Sequence, residues 1–236
     1  MRALPQLSVL SLLFTCLVDL AAAAAPAPFS AQYELSQGML KFGTLHRVLE
    51  LGTDGSYRFT AEMHTSGLAA VLRAATITET SRGQLRGERF VPDRYEYRNS
   101  RGNRQFALRF DHASGRVLRD DQTTGWSAAM PDRVLDKLVY QAQMMVDVAS
   151  APATLQYAIA DKDKLKSYAF ANRGPEELTV PAGHFHTLRF ERGSANTDRH
   201  TTVWCASELG WLPVKVEYRE SDGGVTTAEL RNLAPP

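Results

Sequence analysis

An alternation of apolar and polar side chains recurs along most of the chain and constrains its fold more than any other feature. After the Asp54-Gly55 turn, Tyr57, Phe59 and Met63 occupy every second or fourth position, with polar residues between them. Successive side chains of a strand point to opposite faces, so this pattern predicts strands with one dry face. An Asp-Gly pair between two such runs also indicates a hairpin.

Comparable runs follow one another from about residue 29 to residue 230, separated by short Gly-containing turns such as 221–224. We count about ten or eleven strands. Short connections between successive strands favour an antiparallel arrangement. A sheet of this size twists, and the twist predicts a barrel or half-barrel.

One segment has a helical period instead. Apolar residues recur at spacings of three and four within residues 133–148, which predicts an amphipathic helix. Pro131 suits its first turn and Asp132 its dipole. The predicted architecture is therefore mainly β: a strongly curved antiparallel sheet of about ten strands, closed over this one helix. The apolar stripe consists of Leu135, Leu138, Val139, Ala142, Met145 and Val146.

The amino terminus has the order of parts of a secretory signal peptide. Arg2 precedes an apolar run over residues 7–18, and small residues follow at 21–25. The run is shorter than the ~20 residues that a membrane span needs. Since Pro26 is unfavourable just after a cleavage site, we place cleavage after Ala23 or Ala24. Residues 1–24 are thus predicted to be a signal peptide, and residues 25–236 a single periplasmic β domain.

The two cysteines bear on anchoring and on redox chemistry. Cys16 follows bulky residues, including Phe14, which disfavours a lipoprotein signal, so we do not expect lipid anchoring there. Cleavage leaves only Cys205, so the mature chain has no internal disulfide. We interpret Cys205 as a small buried apolar residue, with a reactive thiol as the alternative.

The charge balance argues against one class of partner. The chain has 27 basic and 26 acidic residues and a net charge of +1. A nucleic-acid-binding protein normally shows a basic excess or stripe, and this sequence has neither. We therefore expect no nucleic-acid partner, and past the leader we expect no transmembrane span.

The carboxy-terminal half carries a recognisable pattern of strands and turns. It comprises the motif at residues 177–183, Trp204 with Ala206, and the run at residues 209–216. With residues 90–95, it resembles the bacterial exported family catalogued as domain of unknown function 3108, over about residues 29–233. The resemblance implies a periplasmic protein and no specific activity. The expected shape is also similar to the lipoprotein carriers, half-barrels that hold acyl chains, which is an analogy of fold.

No catalytic constellation stands out, and we expect no cofactor and no enzyme activity. His184 and His186 share one strand face and are weak candidate metal ligands, but zinc requires three or four ligands. Their structural interpretation is a pair at the mouth of the core. We find no nucleophile elbow and no phosphate-cradling loop.

An apolar binding surface is the functional feature that we favour. The segment at residues 67–72 departs from the strand alternation and resembles a lip. If it and the helix stripe line the concave face, they form a pocket for an acyl chain. The alternative is that both fill the core. The candidate ligand contacts are Leu68, Val71, Leu72, Leu138, Ala142 and Met145.

Three hypotheses follow. The first is a non-catalytic periplasmic module that binds a hydrophobic ligand or an envelope component on its concave face. The second is a structural or scaffolding envelope protein that acts through a protein partner. The third and least favoured is a hydrolase of envelope material.

Overall fold

The computed structural model describes residues 26–66, 75–120, 125–194 and 197–236. The predicted leader at residues 1–24, with Cys16, lies outside this part of the chain. The predicted lip at residues 67–72 does as well, so Leu68, Val71 and Leu72 cannot be placed.

Across these described ranges, fifteen strands form one continuous sheet, where about ten were expected. One α-helix, α1 (Tyr140–Val148), and two short 3₁₀ turns at Arg101–Asn103 and Ser207–Leu209 accompany it. The strands are β1 (Phe29–Gln37), β2 (Leu40–Leu51), β3 (Ser56–Thr65), β4 (Thr76–Arg86), β5 (Arg89–Asn99), β6 (Arg104–Asp111), β7 (Arg116–Arg119), β8 (Ser127–Ala129), β9 (Leu135–Asp136), β10 (Thr154–Asp161), β11 (Lys164–Val180), β12 (Gly183–Ser194), β13 (Thr197–Ala206), β14 (Leu212–Arg219) and β15 (Val225–Ala234).

The strand order agrees with the predicted antiparallel connection of neighbours. It runs β8-β7-β6-β5-β4-β3-β2-β1-β15-β14-β13-β12-β11-β10-β9. The strand pairings in the described residues are antiparallel apart from β9 with β10, which is parallel. The first and last long strands, β1 and β15, pair with each other and join the two halves of the sheet.

The sheet is curved, as predicted, and a hydrogen bond across its concave face shows this. In the strand order β9 stands ten places from β4. Even so, the Ser81 hydroxyl on β4 donates to Asp136 Oδ2 on β9 at 2.6 Å. Adjacent strands lie about 4.8 Å apart, so a flat sheet would hold these two strands far out of reach.

The predicted helix over residues 133–148 is wrong in its first half, because α1 begins only at Tyr140. Arg133 has a positive φ of 55°, which a helix does not allow. Leu135 and Asp136 pair with β10 instead. Asp136 Oδ1 then accepts the backbone amides of Leu138 and Val139, at 2.9 and 2.8 Å. These are the bonds that a helix-capping carboxylate makes, so Asp136 starts the helical turn.

The core lies between α1 and the concave face of the sheet. Alternate residues of the long strands face this core, as in Tyr33, Leu49 and Phe59, which are all fully buried. From α1, Ala142 and Met144 are buried against them. Burying a large apolar side chain contributes about 1.5–3 kcal/mol, so this layer supplies most of the stabilising free energy.

Candidate functional site

The two ends of the curved sheet differ in how α1 fills them. Gln143 near the middle of α1 accepts the Phe90 amide at 2.9 Å and donates to the Glu88 carbonyl at 3.0 Å. Both partners lie where β5 begins, so we call this end the helix end. The opposite end, where the β1–β2 and β3–β4 connections lie, is the far end.

On the concave face, the side chains become more exposed towards the far end. On β2 and β3, Leu49 and Phe59 are opposite each other and fully buried. Four residues towards the far end, Leu45 is opposite Met63, and Met63 is opposite Ile77 on β4. These three side chains are only half-buried. They point inward by the same alternation, and Leu45 and Met63 pack against the core, so part of the apolar concave surface stays accessible to solvent at this end.

Aromatic rings cluster where α1 begins, and we call this cluster the aromatic wall. The Tyr140 ring at the start of α1 stacks on Phe170, with centroids 6.2 Å apart, and meets Tyr168 edge-on at 5.5 Å. Tyr140 and Tyr168 are both half-buried. Desolvation raises the pKa of Tyr140 to about 12. Its hydroxyl therefore stays protonated and can donate a hydrogen bond at neutral pH.

Two acidic groups near this wall already have basic partners. Glu79 accepts the Tyr95 hydroxyl at 2.6 Å and lies 3.2 Å from Lys137 Nζ. Asp161 Oδ2 accepts Lys166 Nζ at 2.6 Å. These carboxylates are therefore engaged within the protein.

A buried hydrogen-bonded chain fixes β9 against β4. The Tyr57 hydroxyl bonds Ser81 at 2.9 Å, and since Ser81 donates to Asp136, the tyrosine is the donor. Asp136 is completely buried. Desolvation raises the pKa of its carboxyl to about 6, against the lowering effect of its hydrogen bonds. The chain positions α1, and it is not open to a substrate.

The described residues among the predicted ligand contacts lie in two places. Leu138 and Ala142 are buried in the core. Met145 lines an apolar pocket of about 390 Å³ at the helix end, together with Phe29 and Leu212. For the predicted lip, only its attachment is defined: Ser66 donates its amide to the Phe42 carbonyl at the far end.

The predicted histidine pair lies on the outside of the sheet. His184 and His186 are both exposed, and their rings are 6.4 Å apart. His186 Nδ1 lies 2.7 Å from Glu208 Oε1. The hydrogen bond to Glu208 raises the pKa of His186, and the pKa of Glu208 falls to about 2. Carboxylates, not a core mouth, surround this pair.

Three further observations concern catalysis, metals and membranes. Cys205 is fully buried, and desolvation raises the pKa of its thiol, which disfavours the reactive thiolate. No group of three or more His, Cys, Asp or Glu side chains in the described ranges is arranged to hold a metal ion. Among the helices of those ranges, none has both the length and the apolar character to cross a membrane.

Arg47 and Arg192 also face the concave side, and sequence analysis missed both. Arg47 stands between the inward-facing Leu45 and Leu49 on β2, and Arg192 stands two residues after the buried Phe190 on β12. A charged residue at an inward position of an alternating strand was the available signal.

The comparisons with known proteins concern family and fold. A family model described as "Protein of unknown function (DUF3108)" matches residues 32–231. No curated protein matches the chain. Among the solved structures that match is the crystal structure of a β-barrel-like protein of domain of unknown function DUF1849 from Brucella abortus. It aligns with a TM-score of 0.60 at 7% identity and covers 90% of this chain and 99% of its own. At this identity the likeness shows the fold alone.

Proposed function

The chain belongs to the DUF3108 family, whose description assigns no function, and we propose that it is an exported, non-catalytic protein that binds an apolar ligand on its concave face. Export rests on the signal-like order of residues 1–24. The binding role rests on the far end of the sheet.

The observation that carries the proposal is the partial exposure of inward-facing apolar side chains. Leu45, Met63 and Ile77 share the concave face with fully buried residues, yet they remain partly exposed. Leaving such side chains in contact with water forgoes a favourable burial of about 25 cal/mol per Å². An apolar ligand at this position would recover that free energy, as in typical concave ligand sites.

A charge on this surface should abolish ligand binding. We expect Met63→Glu to weaken binding of an alkyl-chain fluorescent probe by about tenfold or more, because a carboxylate in an apolar site is strongly unfavourable. Probe titration followed by fluorescence measures the loss, and native mass spectrometry of the purified protein detects any lipid that co-purifies.

His64→Glu is the matched control. His64 is the next residue on β3 and lies on the outer face, half-exposed beside Glu62. The His64→Glu variant should bind the probe as tightly as wild type does. Equal affinities for wild type and Met63→Glu would contradict the proposal, as would a wild-type protein that binds no probe.

The rim of the far end favours a second candidate function, peripheral attachment to an anionic membrane surface; the scaffolding role through a protein partner stays a prediction. The large apolar side chains that are exposed in the described residues are Met39, Leu40 and Leu165, and all three lie at this rim. Each lies within two residues of an exposed lysine, Lys41 or Lys164. Apolar tips beside basic groups suit an anionic lipid surface.

The double substitution Met39→Ser with Leu40→Ser tests the membrane attachment. We expect wild type to sediment with vesicles that contain phosphatidylglycerol, and the double variant to bind them about tenfold more weakly, because two apolar anchors are lost. Vesicles of phosphatidylcholine alone should bind neither protein. Equal sedimentation of the wild type and the variant, or no sedimentation of wild type, would reject the attachment.

A further inference from the structure

Arg47 is a buried cation without an acidic partner. Only 9% of the Arg47 surface is exposed, and the Nε atom of Arg47 is buried without a hydrogen-bond partner. Its guanidinium lies over the Tyr33 ring, 5.0 Å from the centroid. None of the ion pairs found in the described part of the chain includes Arg47. Burial of an arginine in this way is unfavourable unless an anion compensates for it.

Arg192 has a similar environment. Its guanidinium lies 3.9 Å from the centroid of the Tyr168 ring and donates to the Thr201 hydroxyl at 3.0 Å. Its Nε is also buried without a partner. Within the described ranges no carboxylate pairs with it. Aromatic faces and a hydroxyl supply no formal negative charge, so this guanidinium is not neutralised either.

The Tyr168 ring, which the Arg192 guanidinium covers, meets the Tyr140 ring edge-on at 5.5 Å, and both Arg47 and Arg192 act electrostatically on Tyr140. Burial is the main influence on the pKa of Tyr140 and raises it, while Arg192 and Arg47 each lower it. β2 and β12 stand five places apart in the strand order, so the curvature of the sheet brings the two arginines towards one tyrosine. Of the acidic groups near the aromatic wall, Glu79 pairs with Lys137, and Asp161 pairs with Lys166 through Oδ2 while its Oδ1 is buried without a hydrogen-bond partner.

We propose that the ligand of the concave face is an amphiphile whose anionic head group, a carboxylate or a phosphate, binds between Arg47 and Arg192, while its chain lies along Leu45 and Met63. This rests on the proposed function. A guanidinium can donate paired hydrogen bonds to two oxygens of a carboxylate or of a phosphate, and the Tyr140 hydroxyl supplies a further donor. The partly exposed apolar residues at the far end then cover the chain.

Three probes with the same chain separate the head group from the chain: dodecanoate, dodecyl phosphate and dodecanol. Isothermal titration of the full mature protein should show that at least one anionic probe binds about tenfold or more tightly than dodecanol, since charge-assisted hydrogen bonds are roughly twice as strong as neutral ones. The better of the two anions identifies the head group as carboxylate or phosphate.

Arg47→Gln and Arg192→Gln should each lower the affinity for the anionic probe by about tenfold, and should change the affinity for dodecanol by no more than about twofold. Arg58→Gln is the matched control, because Arg58 lies on the outer face of β3 and is half-exposed. Arg47→Lys should recover only part of the affinity, because it restores the charge but not the paired hydrogen bonds of the guanidinium. Arg47→Met should not lower the melting temperature of the ligand-free protein, since it removes an uncompensated buried charge.

The outcomes separate the two proposals. Equal affinity for anionic and neutral probes, with no effect of either arginine, would overturn the head-group assignment and leave the apolar site intact. Failure of all three probes to bind wild type would refute the proposed function itself. A lower melting temperature for Arg47→Met, with unchanged anion binding by Arg47→Gln, would make Arg47 a structural residue and reject the assignment.

Discussion

Replacing Asp136 with alanine is expected to lower the free energy of unfolding by about 3 kcal/mol. The carboxylate accepts hydrogen bonds from the Ser81 hydroxyl and from two backbone amides that start α1. Each buried donor left without an acceptor costs about 1–3 kcal/mol, and release of the buried carboxyl offsets part of that loss. At this chain length the melting temperature should fall by about 6–12 °C. Thermal and urea unfolding followed by circular dichroism measure both quantities.

The same residue should make stability depend on pH in a defined direction. Because burial raises the pKa of Asp136 to about 6, the folded state holds this proton between about pH 4 and pH 6, where the unfolded state has released it. This contribution to stability is therefore complete at low pH and is lost as the pH rises through 6. The window corresponds to about 3 kcal/mol for a group that is completely buried.

Asp136→Asn isolates this effect from other titrating groups. Asparagine keeps an acceptor oxygen for the helix amides and does not titrate. Between pH 4 and pH 7 the wild type should lose about 2–3 kcal/mol of its free energy of unfolding relative to the Asp136→Asn variant. Asp222→Ala, in an exposed turn, is the control. This substitution should change the pH dependence of the free energy of unfolding little. A difference that stays constant with pH would contradict a raised pKa.

Asp136 also explains why the sequence predicts the helix imperfectly. The apolar residues Leu135, Leu138 and Val139 fit a helical spacing equally well whether they lie on a helix or on a strand and a turn. Their burial is the same in either case. The choice depends on the pairing of β9 with β10 and on the contact with Ser81, which lies more than fifty residues away in sequence. Periodicity carries no information on such distant contacts.

Strands were predicted correctly where the apolar–polar alternation runs over the whole strand. They were not predicted correctly where the strand is very short or interrupted. β1 and β3 alternate over their whole length and were identified from sequence. β8 and β9 have three and two residues, too few to show a period. β11 spans seventeen residues and includes Gly174 and Pro175, two residue types that disfavour a strand interior. The register with β12 shifts there, so the strand continues through a bulge.

The sequence indicates which face of the sheet could hold an apolar site, but not which residues of that face stay exposed. The concave face was expected to hold an apolar ligand, yet Leu138 and Ala142 prove to be core residues. Which inward-facing residues remain exposed depends on how much of the concave face α1 covers. The position of α1 is fixed by Gln143 and Asp136 through long-range hydrogen bonds, and alternation alone cannot distinguish the filled end from the far end.

Gly83→Ala is expected to lower the free energy of unfolding by about 3 kcal/mol, at the upper end of the usual cost of overpacking. Gly83 is buried within β4, opposite Pro92 on β5. The register shifts at this point, and an added Cβ would lie 2.8 Å from Pro92 Cα and closer still to the Val91 carbonyl oxygen. Both obstacles are backbone atoms, so no side-chain rotation relieves the clash.

Gly193→Ala separates this clash from the general cost of changing a strand glycine. Gly193 lies on β12, and an added Cβ would meet only the His200 side chain, at 3.3 Å. That ring is exposed and can move, so the loss should stay below about 1 kcal/mol. Urea unfolding of both variants at one pH gives the comparison. Equal losses would mean that β4 and β5 can separate at the bulge. In that case the close approach of the two backbones would not be the reason for glycine at position 83.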